Sequence, residues 1–181
     1  TSMKFGRKVP AVYLQWLGYE SERRVDVLYG YPNIVASYPI SGFVVPAWFA
    51  EGVARFCDEV HRAGAVAVFQ LTHLNNALAA SSLPIVEAYD YVPHELSAEM
   101  IEFIYQTYAD AAELARDAGA DGVEIHCAHE TTPQSFLSPA LNRRRDRWGG
   151  GPRERIRFVV EALERIRGRV GNSLALGIRI N

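Results

Sequence analysis

Short runs dense in β-branched and other apolar residues alternate along this chain with amphipathic segments of helical period, and that alternation decides the fold class. Residues 65–71 (AVAVFQL), 121–126 (DGVEIH) and 174–180 (LALGIRI) are apolar runs of strand length. Residues 8–14 and 33–38 (NIVASY) read as two earlier strands, with a short helix over 21–29 between them. Pro46 is a favoured helix opener, and after it Phe49, Val53, Phe56, Cys57, Val60 and Ala63 recur at helical spacing until Gly64. Ser97 is a good N-cap for a helix whose apolar face is Ile101, Ile104, Tyr105, Tyr108, Ala112 and Ala115, with Gly119 as its stop. A last helix over 153–169 is predicted to turn Ile156, Val159, Val160, Leu163 and Ile166 inward.

Strands that are apolar almost throughout are covered on both faces, which means a parallel sheet flanked by helices. A doubly wound sheet and a barrel both satisfy the pattern. No glycine fingerprint stands at a strand-to-helix turn, which weakens a dinucleotide-binding sheet. Residues 75–95 form a long loop or excursion. After His126 comes a segment of ~25 residues rich in Pro, Arg and Gly, a length that marks a loop as functional.

The 181 residues, 49% of them hydrophobic and 22% charged, suffice for one domain over 1–181 with a real core. A net charge of −2 gives no reason to expect nucleic acid or an acidic membrane surface as partner. No apolar run reaches the ~18 residues of a membrane span, and no apolar signal core follows the first charges. The two cysteines, Cys57 and Cys127, make neither a disulfide framework nor a zinc spacing, so a reduced, cytoplasmic protein is expected.

In α/β folds the chemistry collects where strands end. Three strands here end in polar residues: Gln70 and His73, then His126 with His129 just beyond it, then Arg179. A lone Gln at a strand end, or a lone His such as His73, is more often structural than functional. An Arg on a buried strand demands an acceptor or an anion, which a carboxylate would supply as well as a ligand. His126 and His129 are the sharpest feature, since two imidazoles three positions apart can converge on one ligand oxygen or one metal. Glu124 and Glu130 are near in sequence, but neither makes a convincing third ligand, so no metal is expected. Arg143, Arg144, Arg145 and Arg147 read as a loop held by Arg hydrogen bonds. His61 and His94 read as solvated surface.

Residues 118–181 resemble the old yellow enzyme family and its dienoyl-CoA reductase and amine dehydrogenase relatives. The resemblance is carried by Asp121 to His126 (DGVEIH), His129, Phe136 to Pro139, Asn142 to Arg144 with Asp146, Gly149-Gly150, Arg157-Phe158 and Ile178-Arg179-Ile180. Upstream, Phe69 to His73 looks like the family's QLxHAG strand, Ile34 to Ser37 like its second strand, and Val9 to Val12 faintly like its first. The resemblance implies a (β/α)₈ TIM barrel, incomplete here with about five strands. It implies FMN as cofactor and NAD(P)H as a possible reductant. Gln70 would meet the flavin's pyrimidine edge and Arg179 its N1 and C2=O. Ala36, Pro10, Ala11 and Val12 would contact the cofactor through their backbone. His126 and His129 would grip the oxygen of a small-molecule substrate. The proton-donating Tyr of the family is replaced by Thr131, so the proton must come from elsewhere or the natural reaction needs none at that point.

The function expected on this basis is FMN-dependent oxidation–reduction of a small conjugated carbonyl or related compound. Its rivals are a non-catalytic or partner-dependent half-barrel subunit of a flavoprotein complex and an oxidative, amine demethylase-like flavoenzyme. Five strands leave two sheet edges open, so the rest of the barrel is expected from further residues or a second chain, with an oligomer as the outcome.

Overall fold

The computed structural model describes residues 47–73, 78–83, 92–129 and 131–180. The strands expected over 8–14 and 33–38, the helix over 21–29, and the candidate cofactor contacts Pro10, Ala11, Val12 and Ala36 lie outside the described residues. The elements are α1 (Ala47–Arg62), β1 (Val68–Leu71), β2 (Leu78–Ala79), β3 (His94–Glu95), α2 (Ala98–Asp117), β4 (Gly122–His126), α3 (Thr132–Leu137), α4 (Pro152–Arg155), α5 (Arg157–Val170) and β5 (Ala175–Arg179). β1, β4 and β5 form one parallel sheet with β4 at its centre, and β2 and β3 form a separate parallel pair.

The sheet has two unlike faces because side chains alternate along each strand. Phe69, Leu71, Val123 and Ile125 point outward and are buried in the core with α2 and α5. The inner row-mates are Val68 with Gly122, Gln70 with Glu124 and Gly177, and His126 with Arg179. Val68 is 52% exposed and Ile180 61% exposed. The inner face and the β5 edge therefore lack cover among the described residues, as in a barrel seen in part.

α2 follows its pattern: Ser97 Oγ accepts from the Met100 N–H, and all six residues of the expected apolar face are buried. It packs along α5. The N-terminal part of the 65–71 run does not join the strand. Ala65 N–H turns back to Val60 O, and pairing starts only where Ala67 and Asp121 meet. There the Asp121 carboxylate accepts from Ala67 N–H at 2.6 Å and from the His61 ring at 2.8 Å. These two contacts, His61 first, hold its pKa below the usual carboxylate value. Ala63, expected on the inner face of α1, is exposed at the helix end.

The last helix differs most from its expected form. It breaks at Ile156 into α4 and α5, and Ile156 and Val160, expected inward, are exposed. Phe158 takes the inward position instead, stacked 4.1 Å from Phe136 and 5.2 Å from Tyr105. A large ring buries more apolar area than valine, and so the helix rotates to bury it.

The two irregular stretches are stitched together by one buried guanidinium. Arg144 donates to Ala80 O at 3.0 Å, to Leu96 O at 2.7 Å and to the Asp146 carboxylate, with Phe136 and Trp148 on its faces. Asn142 Nδ2 spans Phe136 O and Trp148 O, and Ser81 Oγ receives the Arg143 N–H. The chain passes so close to itself here that a Cβ on Gly149 would lie 2.1 Å from Arg144 O. Removing the guanidinium would take the donor from two buried carbonyls and the cation from the Asp146 carboxylate. Arg144→Ala is expected to destabilise the protein by about 3 kcal/mol, read as a lower urea midpoint at unchanged slope. A loss under about 0.5 kcal/mol, the range of an ordinary surface change, would show that the clamp is dispensable.

Candidate functional site

Parallel pairing brings the C-terminal ends of β1, β4 and β5 to one side, and with them Gln70, Glu124, His126 and Arg179. Gln70 Nε2 donates to Glu124 Oε1 at 2.7 Å, while Gln70 Oε1 is covered and accepts nothing from the described residues. His126 closes β4 and is 2% exposed. Pairing continues one residue beyond it, through Cys127 N–H to Arg179 O at 2.8 Å.

The chain then turns sharply. His129 has a positive φ of 52°, and this turn carries its ring back over the strand end. His129 Nδ1 and His126 Nε2 lie 3.3 Å apart, with ring centroids 5.2 Å apart. His126 is held below the ordinary histidine pKa, first by burial, then by the nearby charges of His129 and Arg179, with Glu124 acting the other way. It is therefore a neutral ring at physiological pH, carrying one N–H and one lone pair.

Thr131 stands next to the pair in sequence, but its side chain is turned into the protein. It is 1% exposed, and its hydroxyl donates to His126 O at 2.9 Å. Thr132 binds the other strand end, with N–H to His73 O at 3.0 Å and Oγ1 against the His73 ring at 2.7 Å. The first residues of α3 thus join the ends of β1 and β4. His73 is buried at this junction, with its ring on the Thr132 hydroxyl.

Of the candidate residues, Gln70, His126, His129 and Arg179 come together at one mouth. Arg179 is exposed on the inner face rather than buried, since no described element covers that face. Glu124 was weighed in the sequence only as a metal ligand. The signal for its actual place was the two-residue spacing from His126, which puts both on one face of β4.

The family model described as the NADH:flavin oxidoreductase / NADH oxidase family matches residues 48–181. The chain is 34% identical over 123 residues to an NADPH dehydrogenase of Bacillus subtilis (strain 168), covering 65% of this chain and 36% of the relative. It is 32% identical over 135 residues to a multifunctional alkene reductase/demethylase of Caballeronia cordobensis, covering 69% of this chain and 20% of the relative. Among solved structures, histamine dehydrogenase from Rhizobium sp. 4-9 superposes with a TM-score of 0.70 at 28% identity, over 81% of this chain and 25% of that one. The fold is thus that of the TIM-barrel flavin oxidoreductases, of which the described sheet and helices form part. The chain belongs to the NADH:flavin oxidoreductase / NADH oxidase family, the group that includes old yellow enzyme, and it spans only about a third or less of the length of these relatives.

FMN is the cofactor of that family, and the residues present fit it. An amide oxygen with no partner among the described residues and a guanidinium on the same inner face supply an acceptor and a cation. A flavin's pyrimidine edge offers an N–H between two carbonyls, which is the complementary set.

Histidine ring NMR should show His126 titrating below the ordinary value of ~6.5. The midpoint should rise in His129→Ala, while staying low because burial is the larger cause. By linkage, the stability that neutral His126 contributes is present above ~6.5 and is lost as pH falls toward its folded value. A midpoint at or above ~6.5 in the parent would contradict this electrostatic picture.

Proposed function

We propose that this chain carries the flavin- and substrate-binding part of an FMN-dependent oxidoreductase that acts on a small conjugated carbonyl or a related compound, with NAD(P)H as reductant. The observation that carries the reading is the His126–His129 pair, two ring nitrogens 3.3 Å apart above the strand ends. The names of the relatives support the reductant, and the motif match supports the substrate class. The remaining strands would come from further sequence or from a second chain.

Gln70 and Arg179 would hold the flavin, which in its reduced form would be the source of hydride for the substrate's β-carbon. The chain's own residues manage the charge that this creates on the carbonyl oxygen. The two facing nitrogens hydrogen-bond each other when one donates and the other accepts. An oxygen capping the pair accepts from both only when each ring presents an N–H on its facing nitrogen. Two fixed N–H donors aimed at a developing oxyanion favour the transition state over the ground state. Arg179, in register with His126, adds positive charge to the same mouth.

Phenolates mimic that oxyanion. In the flavin-loaded protein a phenol should bind with a long-wavelength charge-transfer band. His126→Ala or His129→Ala should each weaken it by about 1.5–3 kcal/mol, the range of a charge-assisted hydrogen bond. A double variant that titrates like the parent would remove the pair from the substrate site.

One observation favours a second reading, in which the natural reaction is an oxidation such as amine demethylation. Thr131, at the family's proton-donor position, is buried with its hydroxyl on a backbone carbonyl, so it has no proton to offer substrate. Loss of a placed general acid costs roughly 10²–10⁴-fold. The oxidative reading expects slow reoxidation of the reduced flavin by cyclohexenone and fast anaerobic flavin reduction by a methylated amine. Fast turnover of cyclohexenone would eliminate it.

A further inference from the structure

Glu124 has no part in the chemistry above, yet it occupies the middle of the site. It lies two residues before His126 on the inner face of β4, with Gln70 opposite on one side and Gly177 on the other. Gly177 brings no side chain to that row, and a Cβ there would already lie 3.4 Å from the Glu124 Cβ. The carboxylate receives the Gln70 Nε2 donor at 2.7 Å.

A primary amide can turn over with almost no change in shape while exchanging its donor for its acceptor. What fixes it is the neighbour that it must satisfy. A carboxylate only accepts, so Gln70 has to turn its NH₂ toward Glu124 and its carbonyl oxygen away. That oxygen is the covered atom with no partner among the described residues, and a buried acceptor left unpaired is costly. Donating to an anion also polarises the amide and makes its oxygen a stronger acceptor.

We propose that Glu124 is a positioning residue for the cofactor: it locks the Gln70 amide so that the flavin meets an acceptor oxygen, which selects the N3–H of the isoalloxazine edge. The inference rests on the flavin-binding reading above. A carboxylate that merely braced the interior of the sheet would not communicate with the flavin through Gln70, and this difference is measurable.

The test uses the complete flavoprotein, its apo form titrated with FMN by fluorescence quenching, and ¹⁵N-labelled FMN for NMR. The proteins are the parent, Gln70→Ala, Glu124→Gln and the double variant. Glu124→Gln keeps the volume but can present either a donor or an acceptor to Gln70. It should weaken FMN binding by roughly tenfold, the scale of one charge-assisted hydrogen bond. The N3 resonance should move toward its value in free FMN. In the Gln70→Ala background the same substitution should have little further effect. An equal loss with and without Gln70, or an N3 resonance unchanged by Glu124→Gln, overturns the proposal while leaving flavin binding intact. A parent that does not bind FMN overturns the flavin reading and this inference with it. If Glu124→Gln does not fold, Glu124→Asp decides by the same two readouts, since it keeps the charge but withdraws the acceptor by one methylene.

Discussion

The rest of the structure depends on β4 being hydrogen-bonded along both edges in a single register. A slip of one residue would exchange its faces, sending Val123 and Ile125 into the mouth and Glu124 and His126 into the helices. Neither exchange is tolerable. Two apolar side chains would leave a core in which they are almost fully buried, and a carboxylate would enter it unpaired. The hydrophobic packing of α2 and α5 on one side thus fixes the polar geometry on the other. Gln70 meets Glu124, and His126 meets Arg179, because the opposite residues are held by the core.

Beyond the strand ends, order is maintained by side chains bonded to backbone. Among the described residues, the segment between β4 and α4 contains one short helix, and the segment between β1 and α2 a pair of two-residue strands. Arg144, Asn142, Ser81 and Ser135 take up the carbonyls and N–H groups that regular structure would otherwise pair. The His126–His129 turn is held in the same manner, by Thr131 on one strand end and Thr132 on the next. The mouth is held by polar contacts and the body by apolar ones.

Much of this was legible in the sequence, for identifiable reasons. The α2 stripe and the three sheet strands follow from periodicity, because burial on one face leaves a regular imprint. The failures lie where neighbours decide. Val160 and Phe158 are both apolar, and only the rings of Phe136 and Tyr105 make Phe158 the buried one. The true start of β1 depends on Asp121, 54 residues downstream of Ala67. In the site, His126, His129, Gln70 and Arg179 announced themselves as polar residues ending apolar strands. Glu124 did not, since it sits mid-strand and its role depends on which residue β1 brings opposite it. Thr131 was legible as a departure from the family pattern, but the direction of its hydroxyl was not.

The left-handed backbone at His129 has a consequence for the drift of this position over generations. With φ at 52°, a branched or bulky side chain would strain the main chain, whereas His, Asn and Asp are among the non-glycine residues that tolerate such a conformation best. His and Asn can both donate a hydrogen bond from a flat, short side chain. The main chain therefore restricts the available alphabet before selection for chemistry acts. Arg or Lys could also steady an oxyanion, but their long side chains do not share this backbone preference. A requirement on shape and the proposed requirement for a hydrogen-bond donor converge on the same residue types, so the turn by itself constrains the identity of this position.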